Sequence, residues 1–569
     1  MRNSLVVFVL PETSVWCCQL RPGASRMRVL AFLAPLLAAS VCHGEIFTAL
    51  VDMEHLAYTE RELLGMLDRA IQAEEQKIQT LKKYMEQYQR VNRELVDNQE
   101  AYLHNPVNAY LVVKRLAADW KIVQGVITEN VGSKFVENIT QVSETLRIPD
   151  DEDLNGAAMA LIRLQDTYRL NTADIASGEI QGSRLKRQLT AGDCFELGRQ
   201  SYNNADFKHT ALWMEEAWKI WRSESDERTA PLGDILEYLA FSTYKMGDVE
   251  GALRLTNQLL DEEPGHPRGV GNKAYYEQEL AKQASTVRRQ RKGETGEDED
   301  LDVSVREGYT VPESTEEARL PERDMYEAMC RGEITVPPSK ARKLKCYYAH
   351  NSAPFLLLQP IRAEDLYLKP HLVMYHDVMY DSEIEAIKQL ASPRLARATV
   401  QNSKTGQLET ASYRISKSAW LKQGEHPLVD QVNRRVAQLT GLNLDTAEEL
   451  QVVNYGMGGH YEPHFDFARK EETNAFKSLG TGNRIATFIF YMSDVEAGGA
   501  TVFPEIGAAV WPRKGSAAFW YNLHRSGEGD YDTRHAACPV LIGSKWVSNK
   551  WIHEIGQEFA RPCGLTPDE

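Results

Sequence analysis

Four apolar runs toward the end of the chain constrain its fold most. Leu450 to Tyr455, Ile485 to Met492, Ala517 to Leu523 and Trp546 to Ile552 are built from aliphatic, β-branched and aromatic residues. Gly458-Gly459, Gly498-Gly499, Pro504, Pro512, Gly515 and Gly543 punctuate them. Short runs of this make, cut by turn residues, predict strands. Many short strands with such turns predict a double-stranded β-helix (jelly-roll) domain over residues 371–569.

Upstream the periodicity changes. Leu64, Leu67, Ile71, Ile78, Leu81, Met85 and Tyr88 recur in alternating steps of three and four, with Glu74 in the one polar slot. Such an a/d seam predicts a helical region, 45–188, that dimerises as a coiled coil. A long amphipathic helix packed on its own domain would share the pattern. Residues 189–285 show tetratricopeptide-like spacing: Leu239, Ala240, Ala252 and Pro264 fall at repeat positions, and Gly247-Asp248 sits between paired helices. Tyr238, Phe241 and Tyr244 share one helix face there, followed by Tyr275 and Tyr276. Such spacing serves a packed core stripe or a groove of flat rings for a polyproline II peptide. Residues 286–370 read as a linker and connecting segment, opening with Arg288 to Lys292 and the acidic run Glu297 to Asp300. Charge blocks of this kind stay solvated. The fold class is therefore α+β and multidomain, as 569 residues exceed a single core.

The net charge of −16 argues against a nucleic-acid partner, which needs a basic face. Residues 1–44 read as a secretory signal peptide: Met27-Arg28, the short apolar run Val29 to Val41, and small residues ending near Gly44. The residues before Met27 read as an upstream extension. No later run is apolar enough to span a bilayer. Cys194, Cys330, Cys346, Cys538 and Cys563 remain after the leader. In an oxidising compartment an odd count predicts two disulfides and one thiol. Proximity along the chain predicts Cys330–Cys346 and Cys538–Cys563, with Cys194 free. Asn138-Ile139-Thr140 is a glycosylation sequon.

The chemistry-bearing pattern is His464-Phe465-Asp466, His535 and Lys545. Alternation along an extended segment puts His464 and Asp466 on one face. Two imidazoles and one carboxylate on one side of a metal leave the opposite positions open, as in non-haem iron(II) oxygenases. A zinc hydrolase also uses His and Asp ligands. His-x-Asp alone carries no weight in a chain with 14 histidines. The flanking sequence decides. Lys545 follows His535 by ten residues, where a buried cation would bind the far carboxylate of a dicarboxylic co-substrate.

His460 to Asp466, Gly482-Asn-Arg-Ile-Ala-Thr487, Gly498 to Pro504, Thr533 to Pro539 and Lys545 to His553 together resemble the α subunit of collagen prolyl 4-hydroxylase. The resemblance extends through Pro106 to Tyr110 and the repeat module to almost the whole mature chain. It implies iron(II) held by His464, Asp466 and His535. It implies 2-oxoglutarate held by Lys545 with the hydroxyls of Tyr455 and Thr501. Tyr461, Arg484 and Trp551 would line the proline subsite, His553 would assist co-substrate handling, and L-ascorbate would rescue oxidised iron. The implied reaction is 4-hydroxylation of proline in collagen-like X-Pro-Gly sequences with O2, releasing succinate and CO2. Tyr238, Tyr244, Arg268, Asn272 and Tyr275 become expected contacts to procollagen or other proline-rich chains. Phe241 and Gln278 stand where some members carry tyrosine. The resemblance also implies a protein disulfide isomerase β subunit, an α2β2 tetramer, and residence in the endoplasmic reticulum lumen through that partner. The alternatives are the same chemistry on other proline-rich secreted proteins, or a non-catalytic repeat adaptor.

Overall fold

The computed structural model describes residues 46–146, 148–180, 185–225, 227–293, 321–351, 353–401, 407–472, 475–477 and 479–566. The expected leader and the acidic run Glu297 to Asp300 lie outside them. The first long element is α1 (Leu50–Asp97), followed by shorter helical segments through Leu146 and by α2 (Asp151–Tyr168). Asp150 starts α2 with a capping box, its carboxylate accepting from the backbone of Glu152 and Asp153. Along α1 the seam splits. Leu64, Leu67, Ile71, Ile78 and Met85 are exposed, whereas Tyr88 packs on Trp120 of the same chain.

Five helices follow: α3 (Ala191–Asn203), α4 (Phe207–Ser223), α5 (Leu232–Lys245), α6 (Val249–Glu262) and α7 (Pro267–Gly293). Capping by Thr190, Asp206 and Asp248 starts α3, α4 and α6. Consecutive helices pack into helix pairs, the layout that the repeat spacing predicts. Cys194 is buried in this module and free, as expected.

Among the described residues the C-terminal part has two main β-sheets packed face to face, besides two of two strands each. The larger has nine strands. In chain order the strands of both sheets are β1 (Cys346–Ala349), β2 (Ile361–Leu368), β3 (His371–His376), β4 (Ala396–Arg397), β5 (Arg414–Ile415), β6 (Lys417–Leu421), β7 (Leu450–Tyr455), β8 (His460–His464), β9 (Arg484–Tyr491), β10 (Thr501–Phe503), β11 (Ala508–Val510), β12 (Ala517–Tyr521), β13 (His535–Ala537) and β14 (Lys545–His553). The large sheet runs β1-β2-β3-β12-β9-β14-β7-β6-β4 and the small one β11-β10-β13-β8-β5. All four strands predicted from the apolar runs are present. The sheet starts earlier than expected, because β1 and β2 lie inside the span read as a connecting segment (286–370). They join β3 as an antiparallel meander, which fixes them to the sheet.

Alternation sorts the side chains of the central strand β14, which is buried throughout. Trp546 and Ile552 face a core closed by Ile384 and Val432, from α9 (Asp381–Ala391) and α10 (Pro427–Thr440). Val547 faces the other way, into the space between the sheets, with Tyr455, Tyr491 and Phe503. That inner space holds the chemistry.

The expected cysteine pairing is corrected. Cys330 is bonded to Cys538, 208 residues away, and Cys346 and Cys563 are free and exposed. Cys330 ends α8 (Glu322–Cys330), whose Tyr326 and Met329 pack on Val502 and Ala536 of the small sheet. That packing carries Cys330 to Cys538, while Cys346 opens the outermost strand of the large sheet.

Candidate metal centre and co-substrate pocket

His464 ends β8 and His535 opens β13. They are register partners across the small sheet, which sets their imidazoles side by side, ring centroids 4.4 Å apart. Asp466 follows two residues on, in the bend after the strand. One ligand atom from each residue lies within 4.8 Å of the others. The imidazoles are oriented for metal. His464 Nδ1–H donates to the Glu462 carbonyl at 2.8 Å, and His535 Nδ1–H to the Thr533 carbonyl at 3.0 Å. A carbonyl only accepts, so each Nδ1 carries a proton and each Nε2 is the ring nitrogen left to face a metal. Burial, reinforced by His535, pushes His464 down to about 3, so it is neutral at ordinary pH. Burial alone would raise the Asp466 carboxyl, but His535, His464 and Arg484 outweigh it and hold it at about 2. Two imidazoles and a carboxylate, facing one space, fit a divalent iron.

Sequence reasoning missed the support behind Asp466. Thr487 donates its hydroxyl to Asp466 Oδ2 at 2.7 Å and accepts from Asn522 Nδ2 at 2.9 Å. All three side chains are buried. Thr487 closes one of the quoted motifs, so it could have been singled out; Asn522 carried no local signal.

Lys545 is 1 % exposed, and its ammonium lies 4.8 Å from the Tyr455 ring centroid. The two are register partners across β14 and β7. Among the described residues no carboxylate stands within ion-pair distance of Lys545. Burial pushes its pKa down to about 7. A buried cation lacking a protein anion fits a ligand carboxylate, because burying it alone is costly. Thr501 is buried in the same inner space, its hydroxyl accepting from Tyr491 at 2.9 Å. Tyr491 is a third residue that sequence reasoning missed. Tyr455, Thr501 and Lys545 fit a dicarboxylate such as 2-oxoglutarate.

Tyr461, Arg484 and Trp551 come together beside this cluster. Tyr461 stacks on His464, centroids 3.5 Å apart at 17°. The Arg484 guanidinium carbon lies 3.9 Å from the Trp551 centroid and 4.6 Å from that of Phe476. Glu448, also missed, grips Arg484 through both carboxylate oxygens, at 2.5 Å from Nε and 3.0 Å from Nη2. Burial would raise Glu448, but Arg484 and His553 pull it to about 2.

His553 stands apart from Lys545. It lies at the opposite end of β14 from Lys545. Eight extended residues span about 26 Å, which removes it from the end where the co-substrate cation sits. Its Nε2 lies 3.0 Å from Glu448 Oε1, so it belongs with Arg484.

In the repeat module, aromatic rings form a ladder from Phe195 and Tyr202 through Tyr238, Phe241 and Tyr244 to Tyr275. The Tyr244 and Tyr275 hydroxyls lie 2.9 Å apart. Arg268, Asn272 and Tyr275 are spaced along one face of α7, and Arg268 Nε lies 2.6 Å from Glu237 Oε1. Tyr276, by contrast, is buried in core. Asn138 is exposed on a helix of the N-terminal region. No helix among the described residues is long and apolar enough to cross a membrane.

Three family profiles match in succession. They are described as prolyl 4-hydroxylase alpha-subunit, N-terminal region (residues 49–182), prolyl 4-hydroxylase peptide-substrate-binding domain (191–282) and 2OG-Fe(II) oxygenase superfamily (450–553). Prolyl 4-hydroxylase subunit alpha-1 of Homo sapiens is 48% identical over 539 residues, covering 93% of this chain and 98% of that one. Subunit alpha-2 of Caenorhabditis elegans is 49% identical over 538 residues, covering 94% and 96%. Subunit alpha-2 of Gallus gallus is 47% identical over 526 residues, covering 92% and 96%. The chain belongs to the prolyl 4-hydroxylase α-subunit family and is a 2-oxoglutarate dioxygenase that works with Fe(II), 2-oxoglutarate and O2.

Proposed function

We propose that this chain hydroxylates C4 of peptidyl proline in collagen-like X-Pro-Gly sequences, consuming O2 and 2-oxoglutarate and releasing succinate and CO2. The observation that carries the reading is Lys545, a buried cation without a protein anion among the described residues, in the same inner space as a two-histidine, one-carboxylate cluster. His464, Asp466 and His535 hold the iron. Lys545, with the hydroxyls of Tyr455 and Thr501, receives the far carboxylate of 2-oxoglutarate. Bound iron and co-substrate supply an oxidant able to replace an unactivated C–H bond by C–OH. Tyr461 and Trp551 offer flat faces to the proline ring, and Arg484, braced by Glu448 and His553, orients the peptide. The aromatic inner walls keep bulk water from the reacting carbon.

The repeat-module ladder takes a proline-rich segment in the polyproline II form, with Tyr238, Tyr244, Arg268, Asn272 and Tyr275 as contacts. Exposed Leu64, Leu67, Ile71, Ile78 and Met85 leave the α1 seam open to a second copy. The working assembly is α2β2 with protein disulfide isomerase in the endoplasmic reticulum lumen, where L-ascorbate keeps the iron reduced and Asn138 carries a glycan. The test is succinate release by the full-length protein, co-expressed with protein disulfide isomerase and given iron(II), ascorbate and a (Pro-Pro-Gly) repeat peptide. Peptide-dependent succinate is expected; none from a metal-loaded assembly would overturn the reading.

A further inference from the structure

The start of α1 is built into the barrel wall beside the co-substrate pocket. The Gly456 N–H donates to the Thr48 carbonyl at 3.0 Å. A Cβ on Gly456 would stand 2.1 Å from Phe47 O and 2.7 Å from Ala49 N, so only glycine admits this approach. Two residues earlier, Asn454 is fully buried. Its Oδ1 accepts from the Val51 N–H at 3.3 Å, and its Nδ2 donates to the Lys545 carbonyl at 3.3 Å. A donor on one side and an acceptor on the other fix which way the amide faces. One residue beyond Val51, Asp52 Oδ2 lies 2.6 Å from Lys417 Nζ, with both side chains largely buried. Asp52 stands in the first turn of the helix, where a carboxylate is favoured by the aligned peptide dipoles.

The register shows what these contacts grip. Lys417 pairs with Asn454 across β6 and β7, and Tyr455 pairs with Lys545 across β7 and β14. The helix start is therefore tied to the sheet row adjoining the pair that lines the pocket. No carboxylate among the described residues pairs with the Lys545 ammonium, so its direction depends on how its backbone is held. We propose that Asn454 is a positioning residue: it joins the first turn of α1 to Lys545 and presets the ammonium for the far carboxylate of 2-oxoglutarate. This rests on the co-substrate reading of Lys545. It gives the N-terminal helical region a part in the reaction besides assembly, since that region anchors the wall of the pocket.

The test is calorimetric titration of 2-oxoglutarate into the full-length assembly loaded with zinc, so that binding is read without turnover. Asn454→Leu removes both hydrogen bonds at similar volume. Asp52→Asn breaks the Lys417 pair from the helix side and leaves the barrel's residues unchanged. Each is expected to weaken 2-oxoglutarate binding about five- to tenfold while zinc content and affinity for a (Pro-Pro-Gly) peptide stay at wild-type values. Lys545→Met is the control and should abolish binding. If Lys545→Met binds as wild type does, the pocket reading fails. If it loses binding while Asn454→Leu and Asp52→Asn bind normally, the positioning role is overturned. Equal losses of peptide and 2-oxoglutarate affinity, the mark of general loosening, overturn it too. Should Asn454→Leu not fold, Asp52→Asn decides by the same outcomes.

Discussion

Arg484 lies over Trp551, its guanidinium carbon 3.9 Å from the ring centroid, while Glu448 holds it through two oxygens. A planar fork can stack and pair at once; an ammonium cannot. Arg484→Lys should raise the KM for a proline-rich peptide about tenfold or more and leave the KM for 2-oxoglutarate unchanged. Steady-state kinetics with each substrate varied in turn check this.

Thr487 joins Asp466 to Asn522 through one hydroxyl. Thr487→Val keeps the shape and deletes the bond that orients the metal carboxylate. Loss of such a partner typically costs about 10–100-fold in metal affinity. Anaerobic iron titration should show a loss of that order, and Thr487→Ser should restore most of it.

Lys545 gives the pocket a pH dependence. Burial holds the unliganded ammonium at about 7. The charged form that pairs with a carboxylate is thus present below that pH and lost above it. Affinity for 2-oxoglutarate should fall as pH rises through about 7, by up to about tenfold per unit. Unfolded lysine stays protonated to about 10.4, so between these values the unfolded chain binds the extra proton. The Lys545 contribution to stability therefore rises with pH across that window. Calorimetric titrations and melting curves against pH should show both trends, and Lys545→Met should remove them.

Ile71 and Ile78 are half-exposed on α1, at 50% and 49%. If the seam joins two copies, Ile71→Glu with Ile78→Glu puts like charges into an apolar contact. Sedimentation should then show the assembly falling to a single α subunit with its partner. Turnover of a short peptide per chain should persist, because the metal and co-substrate residues lie within one chain.

The strands and the metal cluster were legible because both write themselves locally. Period-two runs between glycines and prolines mark β7, β9, β12 and β14, and the ligands lie in compact motifs. What local pattern could not show depended on tertiary packing. The ladder of β9 and β14 slips between Arg484 and Ala486, which turns Arg484 inward; unbroken alternation would have aimed it with Phe488 and Phe490 at the helices. The cysteine pairing failed because a helix more than 200 residues upstream packs on the small sheet. The distance of His553 from Lys545 was not legible either, because a short sequence separation hides the length of an extended strand.

The most direct measurement follows the oxygen atoms. The complete assembly is given labelled dioxygen, 2-oxoglutarate and a (Pro-Pro-Gly) peptide, and the products are read by mass spectrometry. One labelled atom in succinate and one on C4 of proline, both lost in Asp466→Ala, are the predicted result. Labelled succinate that forms without hydroxyproline, or hydroxyproline that survives Asp466→Ala, would contradict it.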